Sequence, residues 1–175
     1  MAKPYNKQTI LRDGSGPEVG DLAEWEFADW LRRRGLFFLW RGPEKTQFDY
    51  VTRNAKRTGA ALTIDVKAKD RPRGHSRKYD AHVTWDQRNY EVDIYVFYSV
   101  HTSDDLPVFA SDARCMGWIR KEDFWKQARW VHKGDKETTP SGRVFIERAA
   151  AGKLTYDQLR SMAELEVLLE GLESD

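Results

Sequence analysis

The sequence predicts an α/β domain in which helices flank a β-sheet, and three patterns predict it. In residues 62–67, Leu62, Ile64 and Val66 alternate with Thr63, Asp65 and Lys67, the period of two that belongs to a strand. Over residues 18–34, Val19, Ala23, Glu24, Phe27, Ala28, Trp30 and Leu31 fall on one arc at helical spacing, with Leu22, Glu26, Asp29 and Arg33 outside it. The run Val92 to Val100 is apolar enough for a strand covered on both faces.

Taken in order, the first helix should open at Ser15-Gly16-Pro17-Glu18, which has capping-box spacing with Pro near the first helical position, and stop at Gly35. Gln47 to Thr52 has strand character. The polar stretch Asn54 to Gly59 then turns the chain back into residues 62–67. A pairing symmetric about Arg57 sets Asp49 directly opposite Asp65, with Lys67 on the same face. Cross-strand neighbours lie about 5 Å apart. Two carboxylates that close repel unless a cation, a shared proton or a base offsets them. Oxygen ligation of this kind suits magnesium or manganese. Glu24, inside the apolar arc, needs a partner where it is buried, and a metal shared with Asp49 and Asp65 would be one.

Ala23-Glu24, then Ala28, Leu31 and Gly35, then Phe48-Asp49 and Asp65-Val66-Lys67, resemble the core of the PD-(D/E)XK nuclease superfamily, closest in pattern to small archaeal-type Holliday-junction resolvases. The resemblance covers residues 18 to 100 or so. It implies a restriction-endonuclease-like core with a mixed central sheet, Glu24, Asp49 and Asp65 as ligands of Mg2+ or Mn2+, and Lys67 orienting or activating a water. Phe48 stands where the motif usually has Pro, and Asp65 where resolvases more often have Glu. Neither change removes a ligand. Relatives also carry a Gln on a following helix near the metal, which brings Gln87 into the catalytic set, although Thr84 and Gln87 have capping-box spacing as well.

The chemistry accounts for these residue types. Phosphodiester hydrolysis needs a nucleophilic water, neutralised phosphoryl charge and a stabilised leaving oxygen, which divalent ions held by carboxylates supply. A lysine can position the water or balance charge. The competing structural reading is an exposed ion pair of Lys67 with Asp65 or Asp49, which contributes little.

Composition bounds the rest. The 175 residues, 40% hydrophobic and 33% charged, suffice for one domain spanning 1–175, a core to about residue 100 and an extension beyond it. No run of eighteen apolar residues and no leader-like segment occurs, so a cytoplasmic protein away from membranes is expected. One cysteine, Cys115, fits a reducing compartment, and four scattered histidines lack zinc-ligand spacing.

Net charge is only +1, but Lys67, Lys69, Arg71, Arg73, Arg77 and Lys78 face Asp70 alone within twelve residues. DNA phosphates are the expected partner of Lys69 to Lys78, and a solvated loop is the bland alternative. Arg32, Arg33, Arg34 and Arg41 read as a solvated helix end.

Further along, residues 82–90 are expected as a short helix, Met116 to Ile119 as a strand, Glu122 to Val131 as a helix, Gly134 to Gly142 as a connector and Arg143 to Ile146 as a strand. A last helix should open at Thr155-Tyr156-Asp157-Gln158, with Leu159, Met162, Leu165, Leu169 and Leu172 forming a core stripe or, alternatively, a homodimer face. The expected activity is metal-dependent hydrolysis of DNA, by an endonuclease of recombination, repair or phage and mobile-element processing. The rival expectation is a silent nucleic-acid- or protein-binding module on the same fold.

Overall fold

The computed structural model describes residues 16–41, 47–52, 61–71, 73–102, 111–140 and 142–173. Helix α1 (Gly16–Arg33) ends in a Schellman turn, because Gly35 adopts a φ of 69° and lets its own amide reach Arg32 O and the Leu36 amide reach Leu31 O. That is the predicted stop. Ser15, the expected cap, lies outside the described residues.

Strands β1 (Phe38–Trp40), β2 (Tyr50–Thr52), β3 (Leu62–Asp70), β5 (Ile94–His101) and β6 (Asp112–Arg120) form a five-stranded sheet in the order β1-β2-β3-β5-β6. All neighbours are antiparallel except β3 and β5, so the sheet is mixed. Tyr50 pairs with Ile64, Val51 with Thr63 and Thr52 with Leu62, a register centred on Arg57 as the sequence predicts. The turn itself, 53–60, lies outside the described residues.

The parallel pairing requires a crossover. It runs through β4 (Asp80–Thr84) and a 3-10 turn (Trp85–Asn89), so the helix expected over 82–90 is instead the end of a strand and one tight turn. Strand β4 leaves the main sheet to pair with β10 (Ala151–Thr155), which in turn pairs with β7 (Arg129–Val131). Between them, β8 (Lys136–Thr138) and β9 (Val144–Ile146) make a separate hairpin. Helix α2 (Lys121–Gln127) is shorter than expected because Arg129 to Val131 is recruited as β7. Helix α3 (Met162–Glu173) begins later than expected: Ser161 and Glu164 exchange the capping contacts, whereas Gln158 caps only the 3-10 turn at Tyr156.

Alternation along β5 explains its apolar run. Val96 and Tyr98 join Ala23, Phe27 and Leu31 of α1 and Leu165 and Leu169 of α3 in one buried cluster. Tyr95 and Phe97 face a second cluster with Ala81, Val83, Phe124 and Leu154. The Leu165 and Leu169 positions of the final stripe are therefore core. Leu22, placed outside the apolar arc, is in fact 1% exposed and packs with Val19 and Val100, because α1 is covered across a wider arc at its start. Among the described residues no helix is long and apolar enough to cross a membrane.

Gly117 locks α3's approach to the sheet. It has a φ of 137°, beside a bulge at Phe97/Tyr98, and a Cβ there would lie 2.5 Å from Arg160 O and 2.8 Å from Leu159 Cβ. Gly117→Ala should destabilise the protein by about 2 kcal/mol or more through backbone strain and overlap. Denaturant titration checks it; an unchanged midpoint would mean that the Arg160 segment yields freely.

Candidate functional site

Asp49 sits one residue before β2, and its own amide donates to Ile64 O at 2.9 Å. Its carboxylate Oδ2 accepts the Val66 amide at 2.7 Å, replacing the next backbone rung. This bond pins Asp49 against β3 where Asp65 lies. Asp65 is 5% exposed, and its charge bears directly on Asp49. Lys67 Nζ stands 2.6 Å from Asp65 Oδ2, yet without hydrogen-bond alignment, so that buried oxygen has a charge nearby but no donor aimed at it.

Glu24 reaches the same part of the sheet from α1. Its backbone carbonyl accepts the Tyr50 hydroxyl at 2.6 Å, and its Oε2 accepts Trp40 Nε1 at 3.3 Å. The helix is thereby tied to β1 and β2 at the turn that carries the carboxylate. Glu26 acts elsewhere, its charge felt at Tyr98.

The electrostatics are those of crowded acids. Burial, then the charges of Asp65 and Glu24, push Asp49 up to about 8 against the weaker pull of the Val66 amide and Lys67. Burial also raises Asp65, against the opposing effect of Lys67. Glu24 is raised by burial and by Asp21 and Asp65, with Trp40 and Lys67 opposing. Asp21 and Trp40 were missed from sequence. Asp21 lies three residues before Glu24, and helical spacing alone would have placed it on that side.

Gln87 is not brought into this group. It lies half-buried in the 3-10 turn, where its backbone carbonyl accepts the Tyr90 amide, and Thr84 makes no side-chain cap. The basic run also divides. Lys69 is still within β3 and half-buried; Arg71 donates to Asp80 O at 2.9 Å and stacks on Tyr79; Arg77 donates to Met116 O and Tyr156 O at 3.0 and 2.7 Å. Only Arg73 and Lys78 of the five expected DNA contacts remain exposed without such ties. The basic run expected to meet DNA phosphates is thus also, through Arg71 and Arg77, a fastening to neighbouring backbone.

Among the described residues, no three His, Cys, Asp or Glu side chains are arranged to hold a metal ion as they stand. The donor types nonetheless fit a hard divalent cation. Asp49 and Asp65 are two buried carboxylates with a single ammonium, Lys67, 2.6 Å from Asp65 Oδ2, so their second negative charge is costly there without a proton or a further cation. A cation would replace the proton. Comparison of the chain with family models, with curated proteins and with solved structures finds no match.

Proposed function

We propose that the protein is a divalent-metal-dependent nuclease that hydrolyses DNA phosphodiesters, acting as an endonuclease with Mg2+ or Mn2+. The observation that carries this reading is the convergence of Asp49, Asp65 and Lys67 at the middle of β3, with Glu24 coming in from α1. The order of α1, β1, β2 and β3, followed by a crossover to a parallel β5, also agrees with the resemblance to the PD-(D/E)XK core.

A bound divalent ion supplies charge neutralisation at the phosphoryl oxygens and activation of water. Glu24, Asp49 and Asp65 would hold it, and the Val66 amide already orients the Asp49 carboxylate. The Asp65 carboxylate holds Lys67 in place, and the remaining N–H donors of that ammonium can orient the water or meet developing charge. Water oxygen bonds to phosphorus as the bond to the leaving sugar oxygen breaks; the attacking water gives up a proton to solvent, and the leaving oxygen takes one from solvent.

One observation favours the silent binding module: Lys67 is already paired with Asp65. Incubation with linear, nicked, supercoiled and four-way DNA in Mg2+, Mn2+ or chelator separates the readings. Metal-dependent cleavage is expected, with Lys67→Met lowering turnover at saturating substrate by roughly a hundredfold or more. Binding without cleavage in either metal would sink the nuclease and leave the module.

A further inference from the structure

Strand parity sets Asp65, Lys67 and Lys69 on one face of β3, each step about 6.6 Å along the strand, and Arg71 follows just past its end. Toward Lys69 the polar face of the second sheet contributes Asp80 and His82 from β4 and Lys153 from β10, with His82 and Lys153 directly paired across strands. Lys153 is 3% exposed and matched: it contacts Glu147, with Asp80 and Glu137 each 3.8 Å away. Glu137 in turn is held by Arg129.

Its neighbours are not matched. Lys69 is half-buried, and the charges of Glu147 and Asp80 reach it, but among the described residues neither of them forms an ion pair with its ammonium. His82 Nε2 and Arg71 Nε are buried nitrogens with no hydrogen-bond partner. A buried polar atom in a native protein ordinarily has a partner, so such atoms call for one beyond the protein groups present. The unpartnered atoms here are the Lys69 ammonium, one guanidinium nitrogen of Arg71, whose Nη2 already donates to Asp80 O, and one imidazole nitrogen of His82, within electrostatic reach of one another. Their shared complement is an oxyanion.

We propose that Lys69, His82 and Arg71 form a phosphate subsite, occupied by a non-scissile phosphate of the DNA strand whose neighbouring phosphodiester lies at Asp65 and Lys67. The inference rests on the nuclease reading for its choice of ligand. The direction of β3 supports it, since the strand runs from the acidic group to the cationic one without leaving that face. Crowding supports it too: burial, with Arg71 and Lys153, pushes Lys69 down to about 8, and burial with Lys69, Lys153, Arg71 and Lys67 pushes His82 down to about 3. An anion relieves both.

The test is carried out in chelator, so it does not depend on cleavage. Inorganic phosphate is titrated into the wild-type protein while the His82 imidazole resonances are followed by NMR. They should shift saturably in wild type and in Lys69→Arg, and not in Lys69→Gln. For single-stranded oligonucleotide, Lys69→Gln should lower the slope of log affinity against log salt by about 0.7, one phosphate contact. Equal affinity for oligonucleotides with and without a 5′-phosphate assigns an internal phosphate, whereas preference for the phosphorylated end assigns a terminal one. His82 resonances indifferent to phosphate in the wild type overturn the proposal, whether or not Lys69→Gln folds. A shift in chelator from a protein that cleaves no DNA in any metal would instead retain the subsite and remove the nuclease.

Discussion

Asp49→Asn should abolish cleavage and, at the same time, make the metal-free protein more stable. Loss of activity follows from removing a ligand charge, several kcal/mol of transition-state stabilisation and so at least about 10³-fold in rate. The stability gain has a different origin. Asp49 stands among Asp65 and Glu24 in a buried setting that pushes its carboxyl up to about 8. An amide keeps an oxygen for the Val66 N–H while carrying no charge. Near pH 8 the gain should be several kcal/mol, up to about 1.4 kcal/mol for each unit by which the folded carboxyl is raised. Chemical denaturation in chelator measures it, and a destabilised Asn variant would point to an acid held by Lys67 as a structural ion pair.

Magnesium and pH should act against each other on the wild-type protein. The folded Asp49 carboxyl titrates near 8 and the unfolded one near 3.9, so between those values the native state binds more protons than the unfolded state. Metal-free stability therefore falls as pH rises from about 4 to about 8, with a slope approaching about 1.4 kcal/mol per pH unit for one proton. Magnesium binds the deprotonated carboxylates, so it should stabilise more at pH 8 than at pH 6, by about 2.7 kcal/mol when present at a hundred times its dissociation constant. Thermal or denaturant unfolding at both pH values, with and without the ion, gives the comparison. A protein whose stability ignores magnesium at pH 8 has no such site.

What sequence could reveal depended on how local the determinant was. The Asp49–Asp65 pairing was legible because a short turn between two alternating segments leaves few registers, and only one buries Tyr50 and Ile64 together. Gly35 was legible because only a residue at ease at positive φ closes a helix in that way. The second sheet was not. Ala151-Gly152-Lys153-Leu154-Thr155 has weak strand character, and it becomes β10 because β4 and β7 offer it edges and Gly152 leaves Trp125 the room that a Cβ, 2.8 Å from its ring, would take. His82 and Thr84 were read as helical for the same reason, since their strand partner lies far along the chain. The basic run misled in another way. Charge counts do not show that Arg71 donates to the nearby Asp80 carbonyl and Arg77 to backbone carbonyls of two distant segments.

The bond from Arg77 to Tyr156 spans 79 residues, whereas that from Val66 to Asp49 spans 17. Closing the longer loop costs about 1.3 kcal/mol more chain entropy, and it waits on strands made from the end of the sequence. The acidic pair can therefore assemble from a local hairpin, whereas the Arg77 fastening and the pairing of His82 with Lys153 wait until β10 has docked. During that interval the three carboxylates lack the second sheet beside them, and any cation bound then would be held by a half-built cleft.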